Sequence, residues 1–404
     1  MRRLVAFALV AGLVGVAGTG RAWGRQAADA PGAPLSPRVA GGLDIHHIVT
    51  GRGNATFFVL PDGTTMLFDA GGAGDGIPFT EPRPDGSRRP GEWIAAYVDR
   101  VLPAGAPRRL DYVVISHFHV DHMGGLADVA AALPVGTLID RGWPAYDAPV
   151  PPPGINAPAD YVALARRLAS AGTRVERARV GVTSQVAPGA AGPGGAPFEA
   201  RIVAANGEVW TGRGEATEQR FPTLPADAPA GARPTENESS IGLRVKLGAF
   251  DYYIGGDLTG VPDPGMEAWR DMETPIARAI GAVDARQMHH HGSISPENAF
   301  FLATTRARVV VIPAWAPSHP APGPLKRLLT PSAYPDRGPR DVFVTLLREP
   351  TATVIGARVD QLKSRHGHVV IRVAPDGATY RVVVLDDERA DAPVVATFGP
   401  YASE

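Results

Sequence analysis

Eleven histidines lie in this chain of 404 residues, and two groups of them are spaced for chemistry. The first group is Ser116-His117-Phe118-His119-Val120-Asp121-His122-Met123-Gly124-Gly125. It follows the apolar run Asp111 to Ile115 directly and opens a helical pattern. Residues two apart on an extended chain point the same way, so His117 and His119 can face one ion. Asp121 and His122 then fall in the turn, where consecutive side chains can splay toward a second ion. Gly124 and Gly125 let backbone pass close to the site. Neutral imidazoles and a carboxylate are the donors expected for zinc or other borderline divalent metals. The second group is Met288-His289-His290-His291-Gly292-Ser293, at the end of a predicted strand, where three consecutive histidines seldom serve only as core packing.

Composition narrows the chemistry further. There is no cysteine, which excludes a thiolate zinc site, an iron–sulfur cluster, a disulfide framework and a Cys nucleophile. A closed structural zinc site usually uses thiolates, so an open catalytic centre is the better reading. A Ser–His–Asp triad could be composed from the residues, but no Gly-x-Ser-x-Gly elbow accompanies it. The formal net charge of −1 excludes polyanion binding driven by overall charge.

The elements that must position these groups can be traced in order. LDIHHIV, ATFFVLP and TTMLFDAGG are apolar or alternating and form a strand meander, with a turn at Pro61-Asp62-Gly63. Helical spacing runs from Gly91 to Leu102, from Met123 to Leu133 and from Tyr161 to Ala171. Glu199 to Ala205 is a strand, and IGLRVKL with FDYYIGG forms a strand pair. Helices near 265–280 and 295–304 alternate with strands near 283–288 and 308–312. The chain ends in a hairpin turning at Pro375-Asp376-Gly377. Strands, then alternating strands and helices, then strands again predict two sheets flanked by helices. Residues 211–238 are polar and Pro-rich without periodicity, and are expected to form a structureless loop acting as a mobile lid. Elsewhere, His46 and His47 are expected to be structural, and His366 and His368 to lie on the surface. His319, after a strand end, is assigned equally to the site or to structure.

The amino terminus carries a different signal. Arg2 and Arg3 precede an apolar stretch from Leu4 to Ala17, followed by small residues. Residues 1–24 therefore have the layout of a secretory signal peptide, with Gly20-Arg21-Ala22 or Ala22-Trp23-Gly24 at the cleavage site. An uncleaved anchor is the alternative, but the run falls short of the ~20 residues a bilayer span needs. Cleavage removes Arg2, Arg3 and Arg21 and takes the net charge from −1 to −4. Residues 25–40 are expected to be a flexible lead-in, with one domain over 41–404, exported to the periplasm or medium and free of the membrane.

His117-Phe118-His119-Val120-Asp121-His122 after a buried strand resembles the HxHxDH signature of the metallo-β-lactamase fold superfamily. The meander ending in Asp69-Ala70-Gly71 resembles the family's opening strands, and Ile254-Gly255-Gly256-Asp257 the segment whose Asp bridges two metals. The run His290-His291-Gly292-Ser293 resembles the HHGS motif of the subgroup related to the nuclease-like domain of the competence protein ComEC. The resemblance covers roughly residues 42–385. It implies a four-layer αββα sandwich, with His117 and His119 on a first ion and Asp121 and His122 on a second. Asp257 would bridge them, since one carboxylate can hold two cations. His291 would complete the second ion's shell, with His290 beside it as a substrate or acid group and His289 a structural neighbour.

One departure from the family stands out. Its usual His before the strand pair is missing from Pro234-Thr235-Glu236-Asn237-Glu238-Ser239-Ser240. The first ion would then have His117, His119 and Asp257 with water or a weak oxygen ligand such as Asn237, Glu236 or Glu238. Such a donor set suits zinc and tolerates manganese or iron. The implied activity is metal-dependent hydrolysis by a metal-bridging hydroxide oriented by Asp121, with His290 or water assisting the leaving group. Phosphodiesters or phosphate esters are the expected substrates, as small phosphorylated molecules rather than duplex nucleic acid. Arg83, Arg88 and Arg89 are the nearest thing to a basic cluster, and a solvated loop is the expected account of them. An ester, lactone or β-lactam hydrolase is the second reading, and a non-catalytic metal or ligand binder the third.

Overall fold

The computed structural model describes residues 29–404 apart from 75–76, 78, 150–157, 190–194, 226 and 261–266. The expected signal peptide at 1–24 lies outside the described residues. Two nine-stranded sheets carry the fold. The first runs Val394–Ala402, Thr379–Leu385, His368–Val373, Leu43–His47, Thr56–Val59, Thr65–Phe68, Leu110–Val114, Val135–Asp140, Arg174–Arg177. It is antiparallel up to Thr65–Phe68 and parallel beyond it. The second runs Leu362–Ser364, Asp341–Val344, Val309–Ile312, Ala285–Gln287, Phe250–Ile254, Gly242–Leu247, Phe198–Ala205, Glu208–Trp210, Thr217–Gln219. Here the parallel half comes first, up to Phe250–Ile254, and the antiparallel half follows.

Strand alternation explains why central runs such as Thr56–Val59, Thr65–Phe68 and Val309–Ile312 are buried on every residue, unlike the edge runs Arg174–Arg177 and Thr217–Gln219. Successive side chains point to opposite faces, and both faces of each sheet are covered. Phe58, Met66, Phe68 and Val114 enter the core between the sheets. Their neighbours Phe57, Leu67 and Val113 pack on the other side, against Ile94 and Val98 of helix Pro90–Val101 and Leu126 and Val129 of helix Leu126–Ala132. Tyr252 faces inward, its ring edge-on to Phe58, while Tyr253 faces outward onto Phe301 of helix Ala299–Thr305. The result is the four-layer αββα sandwich that the sequence predicts.

Most predicted elements are present, and the differences have local causes. The helix expected from Met123 to Leu133 is two helices, Val120–Met123 and Leu126–Ala132. Ala70 takes the Gly125 amide at 2.7 Å, and an added Cβ on Gly124 would lie 2.6 Å from the Val120 carbonyl and 2.9 Å from that of Gly72. The described part of the lead-in is pinned rather than flexible. Asp29 is buried, 3.0 Å from Arg381, and Gly32 and Val394 share a backbone hydrogen bond of 2.8 Å. Segment 211–238 is likewise not a free lid. Thr217–Gln219 pairs with Glu208–Trp210, Phe221 enters the core, and Glu236 and Glu238 are buried in ion pairs with Arg141 and Arg270. Most of the segment is exposed, and it is anchored at Phe221 and at the buried ion pairs of Glu236 and Glu238.

His46 and His47 alternate like any strand pair. His46 meets the Tyr97 hydroxyl at 3.0 Å on one face, and His47 meets that of Tyr252 at 3.2 Å on the other. His368 is buried, not on the surface; its Nδ1 accepts the Val49 N–H at 3.0 Å. His366 stays exposed beside Asp387. The expected basic cluster is committed elsewhere. Arg83 pairs with the buried Asp387 at 3.1 Å, Arg89 with Asp128 and Glu92, and Arg88 lies over Trp93.

Candidate metal centre

The chemistry-bearing residues all come from the carboxyl ends of strands in the two facing sheets. Strand Leu110–Val114 delivers Ser116 to His122, and strand Thr65–Phe68 delivers Asp69. From the second sheet, Phe250–Ile254 delivers Asp257, and Ala285–Gln287 delivers His289 to His291. Gly256 makes the approach possible. Its φ is +53°, and an added Cβ would lie 2.8 Å from the Ser116 side chain.

Two sets of donor atoms converge there, each within 4.8 Å: Asp121, His122, Asp257 and His291 in one, and His117, His119 and Asp257 in the other. Asp257 belongs to both. Its Oδ1 lies 3.2 Å from His122 Nε2 and 3.6 Å from His291 Nε2, while its Oδ2 lies 3.7 Å from His117 Nε2. His117 Nε2 is 3.0 Å from His119 Nδ1. His291 Nε2 is 3.1 Å from both His122 Nε2 and Asp121 Oδ2.

The far nitrogens of His117, His122 and His291 are held by the protein, as in metal sites whose second partners fix ring orientation. His117 Nδ1 lies 3.0 Å from the Ser116 hydroxyl, and His291 Nδ1 donates to the Pro313 carbonyl at 2.9 Å. His122 Nδ1 lies 2.8 Å from Asp69 Oδ2. Asp69 also accepts the Ser116 N–H at 2.7 Å and the Asn54 amide at 3.0 Å. Sequence reasoning noted Asp69 only as part of a turn. Its orienting role shows only when two strands bring it under His122.

The electrostatics call for a cation. Burial disfavours charge on His122, yet the carboxylates of Asp257, Asp69 and Asp121 outweigh it and hold the imidazole well above its usual pKa. Burial likewise opposes charge on His291, and Asp257 and Asp121 again prevail. Asp257 is held well below the ordinary carboxylate range because His122, His291 and His290 outweigh its burial. The Asp257 Oδ1 atom is buried and accepts no hydrogen bond. Buried imidazoles and carboxylates with an orphaned oxygen at their centre suit divalent ions, which would satisfy that oxygen and the surrounding negative charge.

The remaining histidines separate by their partners. His289 is saturated, 2.8 Å from Glu273 and 2.9 Å from the Tyr253 hydroxyl, and is structural as expected. His319 stacks on His291 with ring centroids 4.9 Å apart, which places it beside the site. His290 and His291 both have left-handed backbones, φ +46° and +53°, a conformation that costs a non-glycine residue roughly 1–2 kcal/mol. Glu236 is a positioning residue the sequence did not single out for that role. Its Oε1 accepts the Phe118 N–H and the Arg141 Nε–H, both at 2.7 Å, and so braces the loop between His117 and His119.

A two-sheet sandwich with a histidine–aspartate centre at its edge defines the class of the protein. Its sequence from residue 48 to 354 matches the model of the metallo-beta-lactamase superfamily, and the chain belongs to that superfamily. A search of curated proteins finds no match. Among solved structures, the chain is similar to CmlA, a diiron beta-hydroxylase from Streptomyces venezuelae, at 18% identity and TM-score 0.42, over 76% of this chain and 53% of that one. It is similar to Zn(2+)-bound PqqB from Methylobacterium extorquens at 16% identity and TM-score 0.30, over 58% of each chain. It is also similar to the short form of human tRNase Z at 14% identity and TM-score 0.34, over 66% of this chain and 90% of that one. This chain spans about half the length of CmlA.

Proposed function

We propose that this protein is an exported two-metal hydrolase acting on small phosphate esters or phosphodiesters. The observation that carries the reading is Asp257, whose two carboxylate oxygens face two separate donor sets. Divalent ions held there, zinc foremost with manganese or iron tolerated, would supply Lewis acidity and lower the pKa of coordinated water. The chain's own part is positional. His117 and His119 with Asp257 would hold one ion, and Asp121, His122 and His291 with Asp257 the other. Asp121 is the most accessible carboxylate of the set, with 16% of its side chain exposed. It stays ionised because His122 and His291 outweigh its burial, so it can accept a hydrogen bond from the attacking water and orient it.

Phosphate chemistry is supported by the two-ion arrangement, which suits displacement at phosphorus, and by the likeness of the His290-to-Ser293 run to ComEC-type relatives. A modest acidic charge and the engagement of Arg83 and Arg89 in ion pairs argue for a small substrate over duplex nucleic acid. Export rests on the amino-terminal pattern. Among the described residues no helix is long and apolar enough to cross a membrane. An ester or lactone hydrolase is the second reading, favoured by the apolar wall of Ala73, Trp315 and Ala316, with Trp315 edge-on to His291. Turnover of bis-p-nitrophenyl phosphate, p-nitrophenyl acetate and nitrocefin by the metal-loaded protein separates these readings. Phosphodiester turnover well above the other two is expected. Nitrocefin or acetate turnover without phosphodiester turnover rejects the proposal.

A further inference from the structure

The two donor sets are unequal. The second draws on Asp121, His122, His291 and the shared Asp257, whereas the first has only His117, His119 and Asp257. Building on the two-ion reading, we infer that His290 is the fourth protein ligand, binding the first ion through Nε2, rather than a group that protonates a leaving group.

Three observations carry this. His290 Nε2 lies 3.7 Å from Asp257 Oδ2, the same oxygen and the same distance as His117 Nε2. Donor atoms around one tetrahedral ion, each about 2.0–2.2 Å from the metal, lie roughly that far from each other. His290 Nε2 meets this spacing to Asp257 but lies outside the set in which all atoms fall within 4.8 Å, so its ring has to close toward His117 and His119 as the ion binds. His290 also follows the pattern of the other ligands. Its far nitrogen, Nδ1, is 3.2 Å from the Ser295 hydroxyl, which leaves Nε2 turned to the centre. Finally, its left-handed backbone separates it from its neighbour. Consecutive residues His290 and His291, at φ +46° and +53°, send their rings to opposite oxygens of Asp257, His290 to Oδ2 and His291 to Oδ1. One strained turn thus serves both ions. Asn237 is the competing donor. Its Nδ2 lies 3.3 Å from His290 Nε2, and its buried Oδ1 has no partner. An amide oxygen is a weaker ligand than imidazole for a borderline ion, so Asn237 is better placed as a neighbour that orients a ligand or water there.

Cobalt(II) titration of the metal-free protein, followed by its d–d absorption, with zinc content measured after dialysis, tests the assignment without reference to activity. Wild type is expected to take up two ions per chain. His290→Ala is expected to retain one tightly and bind the other roughly 100-fold more weakly, with loss of the matching part of the spectrum and recovery on adding imidazole. Asn237→Ala is expected to keep both. Should His290→Ala fold poorly by circular dichroism, Ser295→Ala frees only Nδ1 and is expected to weaken the same ion about 10-fold. Unchanged affinity and spectrum in these His290 and Ser295 variants overturn the inference alone, as does loss of the ion in Asn237→Ala but not in His290→Ala. A wild-type chain that takes up no ion overturns the metal centre itself and this assignment with it.

Discussion

Replacing Glu236 by alanine should damage both stability and the first metal position, by an amount the structure bounds. Glu236 and Arg141 are almost wholly buried, and the guanidinium lies over the Phe118 ring at 4.5 Å. Removing Glu236 takes from the buried Arg141 guanidinium its carboxylate, and breaking a buried ion pair costs about 3–5 kcal/mol. That is a large share of the roughly 5–15 kcal/mol that holds a folded protein together. The Phe118 N–H loses its acceptor in the same step. Because Phe118 sits between His117 and His119, the loop that presents both rings loosens, and the stabilisation gained from added metal should shrink. Urea titrations of the metal-free and metal-loaded proteins measure both effects. The double variant Arg141→Met, Glu236→Met removes both charges and should recover much of the loss. A Glu236→Ala protein within about 1 kcal/mol of wild type, with the same metal-induced stabilisation, would refute the bracing role. A double variant no better than the single would place the cost in the lost N–H acceptor rather than in the broken ion pair.

Three further outcomes are expected. Asp257→Ala should abolish hydrolysis and leave less than one metal ion per chain by elemental analysis while the protein stays folded; normal turnover and metal content would make Asp257 only a turn residue. Asp69→Ala should weaken the ion held by His122 about 10–100-fold, measured by competition with a chelating dye, because His122 Nδ1 loses the carboxylate that orients it; an unchanged affinity would count against that role. Burial, the largest cause in each case, lowers His46 to about 4 and His47 and His368 to about 3. In the unfolded chain these rings titrate near 6.5, so the stability they contribute is present above that pH and is lost as pH falls toward 4. The unfolding free energy of the metal-loaded protein from urea titrations should fall by up to about 4 kcal/mol per pH unit near pH 5, and a flat profile between pH 6.5 and 5 would contradict it.

The sequence by itself determined the strands, most of the helices and the candidate donor cluster from His117 to His122. Periodicity and local spacing carry that information, since both faces of a buried strand must be apolar and His117, His119, Asp121 and His122 are neighbours in the chain. Asp257 was legible only through the resemblance of Ile254-Gly255-Gly256-Asp257 to the family's segment, since a polar residue after two glycines is otherwise an ordinary turn. What lay beyond the sequence depended on contacts between distant segments. Nothing local marks Asp69 as the partner of His122, or Glu236 as the acceptor for the Phe118 N–H, because those hydrogen bonds join residues 53 and 118 positions apart. The same limit explains segment 211–238, whose polarity suggested a solvated lid. Glu236 and Glu238 are buried because Arg141 and Arg270 come from other elements to neutralise them. The order of His290 and His291 was likewise open, since two adjacent rings look equivalent along the chain. Only the folded backbone, left-handed at both positions, turns one toward each oxygen of Asp257.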